Sequence, residues 1–159
     1  MTATLFNQLT LHDFERARRK TFWRDLFSLL TRKCNDLLAF GQILQNLPVE
    51  GQYYRDLQTV SLDKIVGSEG RSQDFDREFF PRQSHVRDRW ASINRAYYEQ
   101  TRLPPVKLTK VGEVYFVRDG NHRISVARVR RQDYIDAYVT ELDLAVPVDL
   151  SKECGSNFS

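Results

Sequence analysis

Arg118-Asp119-Gly120-Asn121-His122-Arg123-Ile124 lies between two stretches of opposite character, and its reading decides the fold. Upstream, Gly112-Glu-Val-Tyr-Phe-Val117 is rich in β-branched and aromatic residues and predicts a strand; downstream, Ile124-Ser-Val-Ala-Arg-Val-Arg-Arg131 can run as a helix. A helix starting at Asn121 aims its unpaired N–H groups and positive dipole end at whatever fills the turn, and Arg123 adds a full charge. An anion is the natural occupant. Gly120 allows positive φ and lets a ligand approach the backbone. Asp119 either caps the turn or acts chemically, and His122 either donates to a phosphate or pins the loop. Arg123 opposes the helix dipole unless something compensates it, so its partner is a bound anion, Asp119 or the charged loop upstream.

Working outward, Val106-Lys-Leu-Thr-Lys110 alternates apolar and polar residues, and Val111-Gly112 supplies a turn. The spacing predicts a β-hairpin whose second strand delivers the chain to Asp119. Tyr134-Ile-Asp-Ala-Tyr-Val-Thr140 alternates again and predicts a final strand. Ser84 caps a helix in which Val86, Trp90, Ile93 and Tyr97 share one face, and Leu103-Pro-Pro105 ends it. The aromatic pair in that stripe reads as core. Thr59 to Ile65 predicts a short strand and a turn, followed by Val66-Gly-Ser-Glu-Gly70 as a loop and a densely charged segment through Arg82.

Near the start, Thr10 or Asp13 can cap a helix carrying Phe14, Ala17, Phe22, Leu26, Leu29 and Leu30 as an apolar stripe, thickened by Trp23 and Phe27. Asn35 or Asp36 can cap a second helix with Leu37, Leu38, Phe40, Ile43, Leu44 and Leu47, closed by Pro48 and Gly51. This helical hairpin has more apolar surface than it can hide alone, so it packs on the rest of the chain or on a second copy in a homodimer. The sequence thus divides into an N-terminal helical extension (1–52), a core (53–143) and a loosely ordered tail (144–159) rich in Ser, Asn and Gly.

At 159 residues, 41% hydrophobic and 28% charged, the composition is that of a soluble domain with an appendage. No window approaches the ~18 apolar residues of a membrane span, and the chain reads as cytoplasmic with no membrane partner. Cys34 and Cys154 lack the paired spacing of a zinc site or disulfide framework and read as two unrelated free thiols. The net charge of +3 is uneven: between Thr10 and Lys33 seven basic residues face three acidic ones. Arg16, Arg18, Arg19 and Lys20 therefore form either a solvated helix face or a contact for DNA or another polyanion.

From about Val60 to Leu142 the order of elements resembles the ParB/sulfiredoxin superfamily. The resemblance rests on a Val-x-Leu-x-x-Ile opening followed by Arg71, a helix, a Pro-Pro-Val strand, a hairpin, the Asp-Gly-Asn-His-Arg signature leading into a helix, and a last Tyr-Ile-Asp-Ala-Tyr-Val strand. It implies an α+β fold, a small mixed-sheet domain preceded here by the helical hairpin. It also implies that the signature turn binds nucleotide phosphates through Gly120, Asn121, His122 and Arg123, with Arg71 reaching the same anion. Sulfiredoxins carry a reactive cysteine where this chain has Asn121, and an amide cannot form their sulfur-linked intermediate. ParB partition proteins, which bind and hydrolyse CTP, have Gly-Glu-Arg-Arg there, of which Gly120 and Arg123 are retained.

A third branch, of ADP- or ATP-dependent free-serine kinases and ParB-like nucleases, resembles the turn more closely. That likeness implies a catalytic carboxylate at Asp119 and a second among Glu69, Asp74, Asp76 and Glu78, with magnesium as a possible companion. The leading expectation is a nucleotide- or phosphate-binding domain, for ATP, ADP or CTP, in a regulatory or nucleic-acid-associated role. Its N-terminal helices would meet a DNA or protein partner. The alternatives are a phosphotransferase or nuclease, and a non-catalytic interaction scaffold.

Overall fold

The alternation around Gly112 is realised as an antiparallel hairpin in the computed structural model, which describes residues 2–31, 34–45 and 47–145. Its elements are α1 (Thr2–Thr31), β1 (Leu38–Ala39), α2 (Phe40–Leu44), β2 (Val49–Ser61), β3 (Ile65–Ser68), α3 (Arg87–Tyr98), β4 (Val106–Val111), β5 (Val114–Asp119), α4 (Asn121–Val129) and β6 (Tyr134–Leu144). The hairpin is β4 and β5, with Gly112 at φ +60°. Six strands form one mixed sheet in the order β1-β3-β5-β4-β6-β2. After α4 the chain enters β6 running parallel to β4 and so antiparallel to β5, and β2 closes the edge antiparallel to β6. Helices with a mixed sheet make this an α+β fold, as the sequence predicts.

Alternate strand residues serve opposite faces. Val106, Leu108, Val117, Ala137 and Val139 join Trp90, Ile124 and Phe14 in the main core beneath α1, α3 and α4. Phe116 and Val111 point the other way and meet Leu38 and Ile43 in a smaller cluster that also takes in Val114, Leu142 and Leu144 at one end of the sheet. The expected stripe on α3 holds: Val86 and Trp90 are buried, and Ile93 and Tyr97 pack against the same core. Ser84 lies in a single 3-10 turn before α3 and makes no capping bond.

The N-terminal expectation needs correction. There is one long helix and no helical hairpin: the predicted second helix is the two-residue β1 followed by the one-turn α2. Leu38 and Ala39 pair with Gly67 and Ser68, so residues expected to be a loop belong to β3. A side chain at Gly67 would collide with the Leu38 carbonyl and the Phe116 ring, and its absence lets β1 approach. Thr10 and Asp13 lie inside α1 and do not cap it. Of the predicted stripe only Phe14 and Ala17 face inward. Thr10, Phe14, Ala17 and Thr21 are buried, whereas Phe22, Trp23, Phe27, Leu29 and Leu30 are each at least 60% exposed. Arg24 pairs with Asp76 and Glu78, and Asp25 pairs with Arg82, so ion pairs orient this end of the helix.

The strand expected near residue 59 is the thirteen-residue β2, which starts at Val49. Cys34 is disulfide-bonded, which corrects the expectation of a free thiol there. The predicted loose tail lies outside the described residues beyond residue 145, as does Cys154. Among the described residues no helix is long and apolar enough to cross a membrane.

Candidate functional site

α4 begins where β5 ends, and Gly120 makes the junction. Its φ of +110° is a conformation that L side chains rarely adopt, and no side chain caps the helix it starts. The first intrahelical bond runs from the Ile124 amide to the Gly120 carbonyl, leaving the preceding amides as the usual unpaired donors of a helix start. Asn121 is fixed from below, because the Ser68 hydroxyl, at the end of the neighbouring β3, lies 2.7 Å from its Oδ1. The same hydroxyl also approaches the Gly70 and Val117 carbonyls. Asn121 is thus a buried latch between two strand ends.

In front of this helix start lies a cleft of about 720 Å³. Arg71, Arg89, Arg118 and Arg123 line it with His85 and His122, and Asp119 is its one acidic wall residue. Three elements supply the cations: the turn after β3, the first turn of α3, and the β5–α4 junction. Arg89 makes no ion pair or side-chain hydrogen bond among the described residues, and Arg118 has only Glu69 at 4.0 Å. Arg71 holds a left-handed backbone, φ +57°, in a turn closed by the Asp74 amide on its carbonyl. Such strain in a residue with a side chain costs about 1 kcal/mol or more and is most often kept where a group must be aimed.

His122 faces this charge. Burial first, and then the Arg71 and Arg89 guanidiniums, push its imidazole down to about 4 against the opposing pull of Asp74. It is therefore neutral at pH 7, with one N–H to donate, and its ring meets Phe75 edge-on at 5.6 Å. The shift has a stability consequence of definite sign. A histidine whose folded pKa is depressed binds its proton more readily when unfolded, so stability is fully present above about pH 6.5 and is lost as pH falls toward about 4. After allowance for solvent screening the expected loss is on the order of 1–2 kcal/mol. Urea unfolding at pH 7 and pH 4.5, compared for the parent and His122→Asn, measures it; equal losses in both would rule out His122 as the cause.

Other predicted site residues find different places. Arg123 donates to the Pro104 and Pro105 carbonyls at 2.7 and 2.9 Å and to Asp119 at 3.0 Å, so its carboxylate alternative is the one realised. Of the four acidic candidates, Asp74 is nearest the cleft, held between Arg71 at 3.4 Å and His85 at 3.1 Å. Glu69 accepts from Thr109. Asp76 is fully buried; burial raises its pKa, while the Glu78 and Phe80 amides and Arg24 hold the charge. Glu78 pairs with Arg24 at 2.9 Å, so these last two organise the loop under α1. Arg16 pairs with Asp13 and Arg18 donates to the Arg82 carbonyl. Arg16 and Lys20 of α1 border a hollow at the C-terminal end of α4, and Arg19, also on α1, is exposed. None of these N-terminal basic residues lines the cleft.

Sequence reasoning missed Arg89, Arg118 and His85. Arg118 was in plain view beside Asp119. Arg89 sits between Val86 and Trp90, and once that stripe is known to pack inward, the polar position beside it must emerge at the helix edge nearest α4.

No family model matches the chain, and no curated protein does. Among solved structures, the crystal structure of sulfiredoxin from Arabidopsis thaliana is similar over 54% of this chain and 84% of that one, at 13% identity and a TM-score of 0.41.

Proposed function

We propose that this chain is a phosphate-binding domain of the ParB/sulfiredoxin kind, and that the cleft before α4 takes the phosphates of a nucleotide such as ATP, ADP or CTP. One observation carries the reading: four arginines from three elements converge on the uncapped start of a helix; Asp119, Asp74 and Glu69 offset Arg123, Arg71 and, at 4.0 Å, Arg118, while Arg89 has no ion pair among the described residues. Like charges gathered in one cleft cost stability where they are incompletely offset, an anion relieves that cost, and helix amides add donors at the same point. Arg89, Arg71 and Arg118 grip the phosphates in this reading, and neutral His122 donates one hydrogen bond. Arg123 acts mainly by clamping the Pro104–Pro105 segment and holding Asp119.

Among the described residues no group of three or more His, Cys, Asp or Glu side chains is placed to hold a metal ion, so magnesium would come with the nucleotide and meet Asp119 only after that carboxylate leaves Arg123. A phosphotransferase step places the same demand on Asp119, so nucleotide turnover lost in Asp119→Asn is the sign of an enzyme, and binding without turnover the sign of a sensor.

The test is thermal unfolding against ATP, ADP, CTP, GTP, pyrophosphate and phosphate, each with and without magnesium. A ligand selective for the folded state must raise the midpoint. The expected result is a shift with at least one polyphosphate, cut at least about tenfold in affinity by Arg89→Ala, as for a lost charge-assisted contact. Arg71→Gly is the second probe. Glycine relieves the left-handed strain, so it weakens binding similarly while leaving stability within about 1 kcal/mol of the parent. No shift with any of these ligands at millimolar concentration sinks the reading.

A further inference from the structure

The sheet's second face is covered in part, by the cluster around Leu38 and Ile43. Tyr138 and Thr140 alternate with Ala137 and Val139 of the main core, so they project away from α3 and α4. On the same face stand Lys107, which alternates with Val106 and Leu108, and Arg118, which follows Val117. The strand register brings them together. Tyr138 lies directly across from Lys107, and Tyr54 lies across from Thr140, one diagonal step from Tyr138. These side chains line a hollow of about 460 Å³ that α2 does not reach. Tyr54 is 66% exposed and Tyr138 39%. No acidic residue lines the hollow, and Lys107 makes no ion pair or side-chain hydrogen bond among the described residues.

We propose that this open part of the face binds single-stranded nucleic acid, with unpaired bases stacked on Tyr54 and Tyr138 and the phosphates between them held by Lys107 and Arg118. Two adjacent flat rings suit bases, because every base offers a π-face, and cations spaced across neighbouring strands suit a backbone that carries a charge per nucleotide. A duplex keeps its bases stacked inside and has nothing to offer the tyrosines. An apolar protein segment gains little beside Lys107, which has no ion pair among the described residues, and Arg118, whose ion-pair partner Glu69 stands 4.0 Å away, and a purely acidic segment leaves the rings unused. Arg118 also borders the cleft before α4, so the positive surface is continuous between the two places. A strand on the sheet can thus run its backbone toward the cleft.

The site does not depend on the cleft's reading, and the experiment keeps them apart. Fluorescence anisotropy of a labelled decathymidylate, a decadeoxyadenylate and a duplex of the two is measured with the parent, a Tyr54→Ala/Tyr138→Ala variant, Lys107→Ala and Arg89→Ala. Pyrophosphate binding by thermal shift is followed in each. The expected results are single-strand binding that falls about tenfold between ~50 and ~200 mM salt, weaker duplex binding, and at least a tenfold loss in the tyrosine variant. The tyrosine variant keeps its melting temperature, since both rings are on the surface, and keeps any pyrophosphate shift. Failure of the parent to bind at low salt overturns the proposal. So does duplex binding equal to that of the single strand, or a tyrosine variant that binds like the parent. Loss through Arg89→Ala alone assigns the oligonucleotide to the cleft and also overturns it. Absence of a pyrophosphate shift with tyrosine-dependent oligonucleotide binding removes the cleft reading and leaves this one standing.

Discussion

Gly120→Ala is expected to destabilise the protein by about 3 kcal/mol, read as a lower urea midpoint with an unchanged slope. Two costs combine. The backbone at φ +110° strains any L residue, and the added Cβ would lie 2.6 Å from Val106 Cγ1 and 3.0 Å from its Cβ. It would also stand 3.1 Å from the Arg123 guanidinium, which holds the Pro104–Pro105 segment leading into β4. A double variant, Gly120→Ala with Val106→Ala, separates the two. Removing the valine methyl groups relieves the collision and leaves the strain, so the double variant should lose at least about 1 kcal/mol less than the sum of the single losses. Strict additivity would mean that backbone strain alone sets the requirement for glycine.

That glycine was legible in the sequence because its cause is local. A strand that must hand the chain to a helix within one residue needs positive φ at the joint, and the hairpin before it is fixed by alternation over a few residues. The orientation of α1 was not legible, for the opposite reason. Apolar and charged residues alternate around its C-terminal half without marking one face, and the choice of inward face is made by Asp76, Glu78 and Arg82, more than fifty positions away. Likewise β1 exists only because Gly67 presents no side chain to Leu38, a fact about two segments at once. The cleft divides in the same way. Asp119, Gly120, His122 and Arg123 could be read from one turn, but Arg89 joins them only through the packing of α3 on α4, and Arg123's commitment to two proline carbonyls is visible only in three dimensions.

Trp90 is the residue on which that packing depends, and Trp90→Ala is expected to cost about 4 kcal/mol. The side chain is fully buried, meets Phe14 of α1 edge-on at 5.6 Å, and donates its indole N–H to Ser125 of α4 at 2.9 Å. It therefore ties all three helices above the sheet, and its loss opens a cavity that none of them can close alone. Trp90→Phe isolates the polar part: the aromatic contact largely survives, while the buried Ser125 hydroxyl loses its partner, for a cost of about 1–2 kcal/mol. The two variants also probe the cleft, because Arg89 immediately precedes Trp90 on α3 and depends on that helix for its aim. If the ring and its hydrogen bond set the rotation of α3, Trp90→Phe folds cooperatively yet weakens polyphosphate binding in the direction of Arg89→Ala. Measured at a temperature well below both midpoints, unchanged binding in Trp90→Phe would show that the cleft tolerates movement of α3, and that the tryptophan serves the core alone.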